Sequence, residues 1–277
     1  VSIIRVHNGA RPRFIDEATG AHIPGVTTIT NKGIPKPKLV DWAANATIDY
    51  AIDHWDELSA MPISERIKVL SRSRYLVTDK AKTRGKVVHK LAERLIRGEQ
   101  VPIPEGLDGY VWSYVRFLDE FGVQPILTEV AVIDPTNGYC GILDLLADLI
   151  NAEEPDADMD TWLLDIKLTR SGIFGEVALQ LAPYRYAYAY LDDDGAEHPL
   201  PEVTRTGAVW VRPDGYSLIP VVATERQFRQ FLYVKQVAEF MDEARDLVGE
   251  PIDPPRPSTF VLAEITDGRS ALAIEAA

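Results

Sequence analysis

Apolar positions change rhythm near the middle of the chain. Leu39, Trp42, Ala43, Ala46 and Tyr50 recur at three-to-four spacing and predict a helix. The same period predicts helices over about 64–74 and 79–97, and one near Ser113–Phe121 carrying Tyr110, Tyr114, Phe117 and Leu118. The opening reads differently. Arg13–Ile15, a turn at Ala18–Gly20 and the β-branched stretch His22–Ile29 predict a hairpin, which the Pro/Lys run Ile34–Lys38 ends. From Ile126 the pattern is that of strands: Ile126–Ile133, Tyr139–Ile150 and Thr161–Lys167, joined by Asp134–Gly138 and by the acidic segment 151–160. A helix over about Gly175–Leu191, strands Ala208–Val211 and Tyr216–Val221, and a helix over about Thr224–Val248 follow.

No internal repeat and no clear linker interrupts Ser2–Val248, so one domain over 1–249 is expected, with 250–277 a Pro-rich tail, extended or loosely attached. The expected fold class is α/β. A helical N-terminal part (about 1–121) extends a core (about 79–221) of helix, three antiparallel strands, helix and strand, and a C-terminal helix (about 224–248) closes the domain. A composition of 46% hydrophobic and 26% charged residues excludes disordered and fibrous classes. The most apolar run, Gly141–Ile150, is broken by Asp144 and Asp148, so no membrane span is expected. Val1–Val6 has no long apolar core of a secretory signal, and the lone Cys140 permits neither an intrachain disulfide nor a cysteine-held cluster. A cytoplasmic setting is the expectation.

Charge sharpens the picture when it is divided. The chain has a net charge of −13, yet residues 64–97 hold eleven Lys/Arg against three Asp/Glu, leaving −21 on the remainder. A basic segment on an acidic body suits one face meeting nucleic acid, with Lys82, Arg84, Lys86 and Lys90 as candidate phosphate contacts. Two solvated helices would look the same, and Glu93 to Arg97 is an ordinary i,i+4 pair.

Several catalytic patterns fail. Gly20 and Gly25 have the spacing of a phosphate loop but Val26 stands where its lysine belongs, and no G-x-S-x-G elbow occurs. Asp156–Asp160 imitates a calcium loop, with Thr161 in place of the turn glycine and Lys167 in place of the glutamate. The informative residue is Asp144, a carboxylate inside an apolar strand, where burial without a partner costs several kcal/mol. One strand later, Asp165 and Lys167 share a face. If these two strands form a hairpin, Asp144 lies beside Asp165, and two carboxylates hold a hard divalent cation next to an ammonium. The plain alternative is an Asp165–Lys167 ion pair. Gly85, His89 and Glu93 share a helix face, as do Gln180, Tyr184 and Tyr188, and each set also suits an ordinary packed helix.

In order, Gly85…His89, Gly141…Asp144, Asp165…Lys167 and Gln180…Tyr184 resemble the motifs of the PD-(D/E)XK nuclease superfamily, in its RecB-like exonuclease branch. Glu129 matches a glutamate of the preceding strand, and Gly25–Ile29 and Leu39–Ala43 resemble the N-terminal region of phage and bacterial members. The resemblance spans roughly residues 22–221. It implies a restriction-endonuclease-like core and one or two Mg²⁺ or Mn²⁺ ions held by His89, Asp144 and Asp165. It further implies that Lys167 is catalytic with the two aspartates, and that Gln180 and Tyr184 lie near DNA or support the site; Glu129 and Glu93 are possible further members. The four cysteines of the CRISPR-associated relatives are missing, so no iron–sulfur cluster is expected. The implied activity is a metal-dependent DNA nuclease, an exonuclease before an endonuclease, in recombination, repair or replication. Implied partners are DNA and a single-strand annealing, helicase or other recombination protein, in the host cytoplasm if phage-encoded. The rival is a catalytically inactive DNA- or protein-binding module on the same fold.

Overall fold

The computed structural model describes the chain apart from residues 1–2, 8–11, 97, 155–157, 170–171, 256–257, 259, 265–269 and 275–277. Strands β1 (Ile3–His7) and β2 (Pro12–Asp16) form a small antiparallel sheet. Four helices follow: α1 (Val26–Gly33), α2 (Pro37–Asp53), α3 (Trp55–Ala60) and the long α4 (Ile63–Ile96). Helix α5 (Asp108–Glu120) leads into β3 (Gln124–Asp134), β4 (Tyr139–Leu149) and β5 (Asp160–Lys167). A 3-10 turn opens α6 (Ala178–Arg185), and short strands β6 (Ala189–Leu191) and β7 (Glu197–His198) come next. Then come β8 (Arg205–Arg212), β9 (Gly215–Pro220) and α7 (Glu225–Glu243). The last strands are β10 (Phe260–Glu264) and β11 (Ser270–Ile274). The protein is thus α/β, with seven α-helices among the described residues.

Strands β3 to β9 make one mixed sheet in the order β7-β6-β3-β4-β5-β8-β9. All neighbours are antiparallel except β5 and β8. The parallel pair is possible because α6 and the segment after it carry the chain back between β5 and β8. One sheet face is covered by Val26 and Ile29 of α1, Leu181 and Tyr184 of α6, and Phe231 and Ala238 of α7. The other is covered by Val88 of α4 and Tyr110, Tyr114 and Phe117 of α5. Between these layers β4 and β5 are buried on both faces, as near-continuous apolar runs require.

The expected hairpin over 13–29 forms in its first half: the chain turns after Asp16, Ile15 bridges His22, and Ile23 N–H donates to Phe14 O at 2.9 Å. It is corrected from Val26 on, because Val26–Gly33 is helical, and β2 pairs mainly with β1. Val26 and Ile29 stand three apart and are fully buried against the sheet, so tertiary packing overrides the strand preference of the β-branched run. The helices expected over 64–74 and 79–97 are one, because no Gly or Pro separates them. The helix expected over 175–191 stops at Arg185, since 189–191 instead pair with β3. Tyr188 therefore does not continue the Gln180–Tyr184 face, and it is exposed. The chain divides into two compact units, Val1–Met241 and Asp242–Ala277. Within the second, the tail holds the β10–β11 hairpin where extended chain was expected.

Candidate functional site

The ladder between β4 and β5 runs from Leu149↔Asp160 to Leu145↔Leu164 and ends there, one step short of Asp144 and Asp165. Beyond that point β5 stays with β8, through Asp165↔Ala208 and Lys167↔Trp210. The side of β4 that β5 leaves is taken further along by the chain before α1: Cys140 N–H donates to Pro24 O at 3.1 Å, and Gly25 bridges Cys140. The two strands therefore fork, and the charged residues sit at the fork. Asp144 accepts the Ile166 N–H at 2.8 Å, so its carboxylate replaces the lost ladder bond. The Cys140 thiol, pushed up to about 12 by burial, is inert packing.

Asp165 is buried, and its charge is met within the same sheet face. Lys167 Nζ lies 2.9 Å from its Oδ1 and 2.7 Å from its Oδ2. Gln180 closes a triangle, donating Nε2 to Asp165 Oδ1 at 2.6 Å and accepting from Lys167 Nζ at 3.0 Å. A buried carboxylate without such partners would cost several kcal/mol, and the triangle offsets that cost. Helix α6 is in turn tied to β4, because the Tyr139 hydroxyl donates to Pro183 O at 2.9 Å.

Tyr184 explains the glycine three residues before Asp144. A Cβ on Gly141 would stand 2.4 Å from Tyr184 Cε1, so only glycine admits the ring. The Tyr184 hydroxyl is held neutral well above its ordinary range, by burial first and then by Asp144 and Asp165. Tyr114, on the opposite layer, is raised in the same way by burial and then by Asp144 and Glu129. Asp144 thus acts on both layers. Alternation along β4 breaks around it: Leu143 and Leu146 join one core, Leu145, Ala147 and Leu149 the other.

Glu129 falls between the paired positions Thr128↔Leu145 and Val130↔Leu143, which places it across from Asp144. Its φ of 51° is the only positive value for a non-glycine among the described residues. Such backbone strain costs about 1–3 kcal/mol and gathers at functional sites. Glu129 and Asp144 hence face each other across β3 and β4, and Asp165 lies one step past the last β4–β5 pair.

The structure brings together Asp144, Asp165, Lys167, Gln180 and Tyr184, with Glu129 alongside. It places Lys82, Arg84, Lys86, His89 and Glu93 on α4, but their side chains lie outside the described residues. Lys90 is exposed. Among the described residues no three His, Cys, Asp or Glu side chains converge as metal ligands. The described donors at the fork are hard carboxylate oxygens, a set that suits Mg²⁺ or Mn²⁺ rather than a soft metal.

Sequence reasoning missed two parts of this site. Tyr114 reads as one more apolar helix position, yet its buried hydroxyl has no hydrogen-bond partner among the described residues. Thr27 belongs to the segment read as a strand, and Thr30 and Asn31 follow it; on α1 they line an open cleft of about 260 Å³ together with Lys167 and Gln180. No protein-family model and no curated protein sequence matches this chain.

Proposed function

We propose that the fork is the active site of a metal-dependent DNA nuclease of the PD-(D/E)XK kind, acting as an exonuclease in recombination, repair or replication. The observation that carries this reading is the Asp165–Lys167–Gln180 triangle where β4 and β5 part, with the Asp144 carboxylate on the Ile166 N–H between Asp165 and Lys167. The element order supports a restriction-endonuclease-like core: helix, three antiparallel strands, helix, and a strand parallel to the third.

Asp144 and Asp165 are the described residues that would hold Mg²⁺ or Mn²⁺, with His89 a third by resemblance. When bound, such a cation polarises the phosphate and lowers the pKa of a water. Gln180 holds the Asp165 carboxylate in one rotamer, and its carbonyl holds the Lys167 ammonium beside it. The Lys167 side chain is partly exposed and lines the cleft, so its ammonium can donate to a phosphate oxygen where negative charge develops. Tyr184 and Tyr114, both neutral and buried, lie within electrostatic reach of Asp144 on the two layers. The basic face of α4 would add sequence-independent attraction for the backbone.

One feature favours the rival, a binding module without catalysis: the Asp165–Lys167–Gln180 triangle is already closed, as a static ion pair would be. The test is incubation with linear and circular, single- and double-stranded DNA, with and without Mg²⁺ or Mn²⁺. Metal-dependent cleavage that favours linear DNA is expected; DNA binding without cleavage in either metal would favour the rival.

A further inference from the structure

Three tyrosine hydroxyls of this fold invite comparison. Tyr139 is fully buried and donates to Pro183 O at 2.9 Å. Tyr216, half-buried on β9, donates to Glu120. Tyr114 is as buried as Tyr139, at 1% exposed, yet its hydroxyl has no hydrogen-bond partner among the described residues. Taking that hydroxyl out of water costs free energy that a phenylalanine in the same space would not. Such an orphan calls for a partner that the chain itself does not provide.

The surroundings of Tyr114 are those of the fork. It belongs to one core cluster with Leu145 and Ile166. Leu145 follows Asp144 on β4, and Ile166 carries the N–H that Asp144 accepts. Glu129 lies across from Asp144 in the β3–β4 register. Both carboxylates act on the Tyr114 hydroxyl electrostatically, and neither bonds it directly. Polar groups that face one another beyond hydrogen-bond range are commonly joined through a water, and a buried water needs two or more polar partners. We infer that Tyr114 is a positioning residue for the cation of this site: its hydroxyl oxygen accepts a hydrogen bond from a water that the bound cation keeps. The inference rests on the metal-dependent reading of the fork and adds a residue that selects the ion. A phenol oxygen accepts as well as donates, and a water on a cation is a stronger donor than a free one. Mg²⁺ gives up its waters reluctantly, whereas Ca²⁺ takes more oxygen ligands in looser geometry. A contact to a retained water therefore favours Mg²⁺ over Ca²⁺.

The test is isothermal titration calorimetry of Mg²⁺ and of Ca²⁺ into the full chain without DNA, for the parent, Tyr114→Phe and Tyr216→Phe. Tyr114→Phe should weaken Mg²⁺ binding by about 10-fold, the scale on which outer partners of a metal site act, and Ca²⁺ binding by clearly less. Tyr216→Phe, which removes a phenol already paired with Glu120, should change neither. Mg²⁺ affinity at the parent value in Tyr114→Phe would overturn the inference. So would equal weakening of both ions, the mark of a displaced Asp144, or the same loss in Tyr216→Phe. The two readings fail separately. A parent chain that binds neither ion removes the metal-dependent nuclease together with the inference. Mg²⁺-dependent cleavage by the parent, with Mg²⁺ affinity unchanged in Tyr114→Phe, removes the inference alone.

Discussion

Strands β4 and β5 behave as two different materials along one hairpin. From Leu145 to Leu149 they are paired to Asp160–Leu164, with Leu145, Ala147, Leu149, Trp162 and Leu164 in one apolar core. One residue further on, pairing stops, and Asp144, Asp165 and Lys167 take the positions that apolar side chains held. The zipped end is stable because both faces are buried. The forked end gathers like charges and gives up ladder bonds. That arrangement is the one the proposed active site calls for.

The comparison breaks first at the zipped end. Leu145 is fully buried, and Leu145→Ala should cost about 2–5 kcal/mol in urea unfolding through the cavity it leaves. An effect below about 1 kcal/mol would mean that the paired end is not what holds this sheet.

At the fork the expected losses are smaller in stability and larger in activity. Gly141→Ala forces a Cβ into the Tyr184 ring, costing about 1–3 kcal/mol. Because Tyr184 shares α6 with Gln180, cleavage should fall in the fraction that remains folded. Unchanged unfolding and cleavage would show that the ring moves away freely.

The buried tyrosines give the comparison a pH axis. Tyr114, Tyr139 and Tyr184 all ionise above the ordinary 10.0 in the folded protein, with burial the first cause for each. Above pH 10 the unfolded chain gains by ionising and the folded one does not. Their contribution is thus complete below pH 10 and lost above it, by up to about 1.4 kcal/mol per unit for each tyrosine. Tyr184→Phe should flatten that loss in unfolding curves taken between neutral and alkaline pH. An unaltered slope would mean that Tyr184 titrates as if exposed.

The smallest effect concerns Glu129. Glycine adopts a φ of 51° without strain, so Glu129→Gly should be neutral or stabilising by about 1 kcal/mol in urea unfolding. Clear destabilisation would make the residue structural.

Much of the sheet is legible in the sequence because β3, β4 and β5 alternate or run apolar between strong turn signals. The Asp134–Gly138 turn is one: Asn137 bonds the Asp134 carboxylate and Gly138 takes a φ of 64°. Asp144 was visible as a charge in an apolar strand. Gln180 was visible only through family resemblance, since its partners lie 13 and 15 residues away across a crossover. Helix α1 was not legible, because Val26–Thr30 is locally strand-prone and becomes helical by burying Val26 and Ile29. Residues 189–191 looked helical because the edge of β3 that recruits them is a tertiary feature. Neither the backbone at Glu129 nor the role of Tyr114 beside Asp144 leaves any local trace.

The central claim is that the fork hydrolyses phosphodiester bonds and that Lys167 takes part. The most direct measurement is the rate of DNA cleavage by Lys167→Ala against the parent chain in Mg²⁺ and Mn²⁺, with DNA and metal binding measured alongside. Loss of a preorganised charge contact should lower the rate on the order of 100- to 1,000-fold while both binding constants stay near the parent values. Cleavage by Lys167→Ala at the parent rate would contradict the account.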